Sequence, residues 1–246
     1  MKTKSTLIAS VLAGLTMASA SSEAKTIRFS GYDWTVKSGV KIAPGPNNWD
    51  ENNVSVDERG YLHLRLTQRD GQWFCSQVSL NDRLGFGRYQ FWVIGRMDEF
   101  DPNVVLGLFN YPTPDVGPDR TNEIDIEFAK WGHPTAPIGN YTVWPTTKEL
   151  KPASKRFTVN LTGDYTTHRF IWDSTSVSFQ SLNGHYDDDT GQFEQWMYKP
   201  ADPVEPHIPE ADARSAQPLA LQGTATREQP IGRGDRALIT FTPSSY

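Results

Sequence analysis

This chain has one cysteine, no second long apolar run, no helical periodicity and a deficit of positive charge. The single cysteine, Cys75, excludes an internal disulfide, and an exported domain of this size can rely on its core alone. The five histidines, His63, His133, His168, His185 and His207, are too scattered to give a Cys/His cluster with metal-ligand spacing. Acids outnumber bases 29 to 24, which argues against nucleic acid or an anionic membrane surface as a partner and suits a neutral sugar polymer. No Gly-rich phosphate loop precedes a helix, and no Ser/His/Asp set stands out.

What is present begins with a leader. Lys2 and Lys4, the apolar run Leu7 to Met17, and the small residues Ala18-Ser19-Ala20 follow the plan of a secretory signal peptide. The run is too short to span a bilayer. Cleavage is expected after Ala20, or alternatively after Ala24, and the former takes the net charge from −5 to −7. The mature chain, from residue 25 to 246, reads as one secreted or periplasmic domain, and nothing in it requires more than a monomer.

The rest consists of short alternating or aromatic-rich runs punctuated by Gly, Pro, Asn and Asp. Strands are expected at 26–30, 33–36, 61–66, 72–80, 88–95, 104–111, 122–128, 138–144, 156–161, 168–172, 176–181 and 237–241. Residues 42–53 and the Pro-rich stretch 199–218 read as loops. Many short strands at near-regular spacing indicate an all-β sandwich or barrel.

One run stands apart. Asn122-Glu123-Ile124-Asp125-Ile126-Glu127-Phe128 alternates acid and apolar residue, the period of a half-buried strand. Glu123, Asp125 and Glu127 therefore share a face, where like charges repel unless something uses them. Paired carboxylates are the usual means of cleaving a glycosidic bond. Glu123 and Glu127 are separated by about 13 Å between Cα atoms along a strand. Retaining enzymes hold their carboxyls about 5–5.5 Å apart and inverting ones about 6.5–9.5 Å, so long side chains on a curved strand permit either outcome.

Glu123-Ile124-Asp125-Ile126-Glu127-Phe128 resembles the active-site motif of glycoside hydrolase family 16, the lichenase and laminarinase family. Leu84-Gly85-Phe86-Gly87-Arg88-Tyr89, Leu108-Phe109-Asn110-Tyr111, and His168-Arg169-Phe170-Ile171-Trp172 with Val177-Ser178-Phe179 are similar to other parts of that family, in the same order. The resemblance spans about residues 60 to 185 and is weaker on either side. It implies a two-sheet antiparallel jelly roll with a concave substrate cleft. It also implies hydrolysis with retention, Glu123 as nucleophile, Glu127 as acid/base and Asp125 assisting.

Parity and the resemblance together nominate sugar-binding residues. Asn140 and Trp144 share one face of the next strand, and Tyr111 and Phe109 share one face of the preceding one. Phe109 suits core packing equally well, and Trp131 suits either the cleft rim or a core edge. Gln77 and Ser79 stand where lichenases carry a Glu and an Arg that contact sugar. Thr121 replaces a frequent Trp, and Leu219-Ala220-Leu221-Gln222-Gly223 lacks the Trp that usually walls the acid/base. Those departures leave the β-linked polymer, glucan or galactan, undefined. They also keep open a carbohydrate-binding module without turnover, and a transglycosylase. No cofactor is required. Asp187-Asp188-Asp189 could hold a structural Ca²⁺ with loop carbonyls, but reads better as a solvated acidic turn.

Overall fold

A computed structural model describes residues 24–200 with their side chains, and the backbone of strands 219–225 and 236–244. The expected leader and the loop at 201–218 lie outside the described residues. The first strands are β1 (Thr26–Phe29), β2 (Tyr32–Val36), β3 (Gly39–Ile42), β4 (Asn47–Trp49), β5 (Val54–Val56) and β6 (Leu62–Arg65). There follow β7 (Thr67–Arg69), β8 (Gln72–Leu80), β9 (Gly87–Ile94), β10 (Val104–Asn110), β11 (Ile124–Ala129) and β12 (Gly139–Val143). The last are β13 (Ala153–Phe157), β14 (Tyr165–Trp172), β15 (Val177–Asn183), β16 (Gln192–Tyr198), β17 (Leu219–Ala225) and β18 (Arg236–Ser244). Among the described residues the only helical pieces are two 3₁₀ turns, Glu51–Asn53 and Met97–Glu99, and no helix is long and apolar enough to cross a membrane.

The strands form two sheets, so the expected all-β sandwich is what the chain builds. One has eleven strands and runs β1-β2-β8-β17-β10-β11-β12-β13, with β3, β4 and β7 attached beside β8. The other has seven and runs β16-β15-β14-β9-β18-β6-β5. Both C-terminal strands insert into sheet interiors, β17 between β8 and β10 and β18 between β9 and β6.

Two-residue periodicity decides what each face carries. On β11, Ile124, Ile126 and Phe128 are fully buried and pack with Leu106, Leu108, Tyr141, Val143, Phe170 and Phe179 in the core between the sheets. A polar tie crosses that core. Tyr141 on β12 donates to Ser181 Oγ on β15 at 2.7 Å, and the His168 ring bonds Ser181 at 2.8 Å and Thr166 at 2.9 Å. Buried polar groups joined in this way fix how the sheets sit on each other.

Three expectations needed correction, and the first is the strand expected at 156–161, which is β13 at Ala153–Phe157, with no strand over 158–161. Residues 42–53 are not all loop, because Asn47–Trp49 adds a strand parallel to β8 at Phe74 and Cys75. Asp50 then accepts a bond from Asn52 N at 2.9 Å to start a 3₁₀ turn. The edge strand β16 was not anticipated: it pairs with β15 through a register shift between Ser181 and Leu182, and a bulge breaks the period by which a strand is read.

Candidate active site

The three acids project from β11 and the residue before it, on the face turned away from the core. Their neighbours follow from strand register. Lys37, Gln77, Gly107, Glu127, Asn140 and Arg156 lie in one cross-strand row, on β8, β10, β11, β12, β13 and the residue after β2. A second row holds Ser79, Phe109, Asp125 and Thr142. Trp144 N donates to Glu123 O at 2.8 Å, which carries the pairing to the third acid. Asp125, Phe109, Asn140 and Thr142 face outward yet are buried, so the middle of this face is recessed. Glu123 and Glu127 are half-buried.

The approach to Glu123 is tightly held. Arg120 and Asn122 adopt φ of 68° and 53°, a left-handed conformation costly for residues other than glycine and frequent at functional sites. Thr121 Oγ1 donates to Pro118 O at 2.7 Å, Asn122 N to Pro145 O at 2.8 Å, and Ile124 N to the buried Asn110 Oδ1 at 2.6 Å. These bonds fix where the first acid leaves the backbone.

Around the acids, Trp144 Nε1 donates to Asp125 Oδ2 at 2.7 Å, and Asp125 and Glu123 share a side-chain hydrogen bond. Burial raises Glu123 to about 8, helped by the charges of Glu127 and Asp119 and opposed by the bond from Asp125. Burial also raises Asp125 well above the carboxylate range, with Glu123 and Glu127 adding to it. Glu127 is pushed up to about 7 by burial, against the pull of Arg156. The three carboxyls therefore hold protons among them at neutral pH. The shared bond ties Asp125 to Glu123, so these two carboxyls take up and release protons together and not as separate acids.

The nominated sugar-binding residues do not all reach the acids. Phe109 and Tyr111 stand on the acid face, edge to face at 6.3 Å, and the Tyr111 hydroxyl donates to Asp119 Oδ1. Trp144 reaches the acids directly. Gln77 is in the Glu127 row but further along it, where its Oε1 accepts from Lys37 Nζ at 3.2 Å and its Nε2 donates to Ser79 Oγ at 3.4 Å. Asn140 is 2 % exposed and turned to the backbone, donating to Ile138 O at 2.9 Å and Ala129 O at 3.3 Å. Trp131 lies under the Arg156 guanidinium, 4.7 Å from ring centroid to Cζ, so one face of its indole is already occupied. Sequence reading passed over Lys37, which sits 4.2 Å above the Trp49 ring, and also Asp119 and Arg156. Arg156 opens the strand expected at 156–161, but only register shows that it shares a row with Glu127.

Elsewhere, a groove of about 520 Å³ lies on the outer face of β14–β16, far from the acids. Its Arg169 spends its donors on Gln90, Gln180, Asp189 and the carbonyls of Asp187 and Asp188, which leaves none for a ligand. Those same contacts hold the 187–189 loop. No group of three or more His, Cys, Asp or Glu side chains able to hold a metal is found among the described residues.

No protein-family model matches the chain, and no curated protein matches it significantly. Solved structures do match in fold. The Bacillus licheniformis β-glucanase is similar over 85 % of this chain and 90 % of its own, with a TM-score of 0.57 and 16 % identity. A glycoside hydrolase family 16 endo-glucanase from Bacteroides ovatus matches over 86 % and 94 %, with a TM-score of 0.61 and 11 % identity. A pseudo-β-1,3-glucanase of Mycobacterium tuberculosis matches over 85 % and 88 %, with a TM-score of 0.59 and 19 % identity. The chain has the β-sandwich fold of the family 16 glucanases.

Proposed function

We propose that this chain is an exported, endo-acting glycoside hydrolase that cleaves a β-linked glucan or galactan with retention. The observation that carries this reading is the recessed acid face, where Asp125 bridges Glu123 and Trp144 while Glu127 stands two residues on, in the next outward row with Asn140. In the first half-reaction Glu123 attacks the anomeric carbon and Glu127 gives its proton to the departing glycosidic oxygen. Asp125, holding a proton toward Glu123, keeps the negative charge on the attacking oxygen. In the second, Glu127 takes a proton from water, the water attacks the same carbon, and Glu123 leaves as carboxylate. Tyr111 and Trp144 offer aromatic surface to a sugar chain lying across β10 to β12, with the buried Phe109 packed against Tyr111.

The fold likeness to a pseudo-β-1,3-glucanase supports a second reading, a carbohydrate-binding module that keeps the face but not turnover. Release of reducing ends from a panel of β-glucans and galactans separates the two. The wild type is expected to release them, with the β-anomer appearing first by NMR, and Glu123→Gln to lose at least about a thousandfold. Undiminished cleavage by Glu123→Gln would remove the mechanism. Saturable binding by a wild type that releases no reducing ends would favour the binding module.

A further inference from the structure

We propose that Arg156, seated on the Trp131 indole, is a positioning residue for Glu127, keeping that carboxyl able to release its proton once the first half-reaction is over. The inference rests on the glycosidase reading above. Three features of the geometry carry it.

The first is register. Glu127 pairs with Asn140 and Asn140 with Arg156, which puts the two outer residues about 10 Å apart at Cα on one face. The second is what stands between them. Asn140 spends its amide N–H groups on backbone carbonyls, so the only side chain between the two in register is uncharged and makes no bond to the side chain of either. The third is the seat. Trp131 and Gly132 turn the chain with φ of 45° and 75°, and the turn is pinned by Gly132 N to Pro102 O at 2.7 Å and His133 N to Lys130 O at 2.9 Å. That holds the indole beneath the guanidinium, a contact that favours arginine over a mobile cation.

The charges around Glu127 are few. Asp125 and Glu123 face it from its own chain segment, with Asp119 reaching Glu123. Gly107 and Phe109 on β10, and Asn140 and Thr142 on β12, carry no charge. The turn after β11 adds Lys130 and His133, and Lys37 lies at the far end of the row. Lys155, next to Arg156, is bound to Glu194 at 2.7 Å. Arg156 is exposed and makes no ion pair with another described side chain, and its charge pulls on Glu127 in the direction that favours the carboxylate. An acid/base must lose its proton as readily as it gives it, and a nearby cation supplies that balance in a buried site.

The test is a carboxyl ¹³C NMR titration of protein labelled at glutamate, with the Glu127 signal identified by its loss in Glu127→Gln. In Arg156→Gln the Glu127 midpoint should move to higher pH, and in Arg156→Lys it should largely return. In parallel, the alkaline limb of kcat/KM should move up with Arg156→Gln, and kcat near pH 6 should fall about three- to tenfold. A packing role for Arg156 would move neither the midpoint nor the limb. An active enzyme whose midpoint and limb ignore Arg156→Gln overturns this proposal alone. A wild type that turns over nothing, even with the midpoint shift present, overturns the glycosidase reading and the role assigned to Arg156 with it.

Discussion

At the scale of single residues, the site depends on what Asp125 can do while almost sealed from water. One of its oxygens takes the Trp144 indole N–H at 2.7 Å, and the carboxyl also bonds Glu123. Trp144→Phe keeps an aromatic ring but removes the indole N–H, leaving a buried carboxyl oxygen without its partner, a cost of roughly 1–3 kcal/mol. The expected result is a folded protein whose kcat/KM falls about ten- to a hundredfold, with far-UV circular dichroism unchanged. Reducing-end kinetics beside that spectrum would check it. Gln77 and Asn140 differ from Trp144 here, because Gln77 bonds Lys37 and Ser79 and Asn140 bonds only backbone carbonyls, that of Glu127 among them, and neither reaches an acid side chain.

At the scale of elements, the register of β11, β12 and β13 brings the site together. Gly139 is the tightest point of that register. It pairs with Phe157, whose ring lies over it on the core side, and a Cβ at Gly139 would fall 2.3–2.6 Å from ring carbons of Phe157. Gly139→Ala therefore forces the ring or the strand to move, at about 1–3 kcal/mol. Chemical denaturation should show the loss. Because Asn140 and Arg156 lie next to the two displaced residues, activity should fall as well. Gly163, with open space around its position, is the control, and alanine there should leave stability nearly unchanged.

For the whole molecule, the site and the core set opposite limits on pH. His168 lies fully buried and is held down to about 3, chiefly by desolvation. The unfolded chain takes up that proton at about 6.5 while the folded one refuses it, so this contribution to stability shrinks as pH falls below that value. The three acids act in reverse. Their folded-state values are raised, with Glu127 at about 7 and Glu123 at about 8, while unfolded carboxyls ionise at about 4. The stability they contribute is complete below that point and is lost as pH rises through the folded values. Glu123→Gln removes part of this loss, so it should raise Tm more at pH 8 than at pH 5. Each kcal/mol relieved is worth roughly 2–4 °C in a protein of this size. Differential scanning calorimetry of wild type and variant at both pH values is the check; equal gains would mean that Glu123 is not held protonated. A site that is destabilising in the free protein is what a functional acid cluster is expected to be.

Local chemistry was enough to make this an all-β chain and to place the acids together, since alternation along one strand needs no partner to be read. It also marked Trp144, Tyr111 and Phe109 as facing the same way as the acids. Tertiary structure alone decided the rest. That β17 lies between β8 and β10, that a short strand at 47–49 joins the sheet edge, and that Arg156 shares a row with Glu127 are all consequences of pairing between segments far apart in sequence. Such pairing is set by burial of whole faces and by loop closure, not by the residues of one strand. For the same reason Asn140 could be assigned to the right face and still be turned away from it, because its amide answers to the carbonyls that the folded sheet brings within reach.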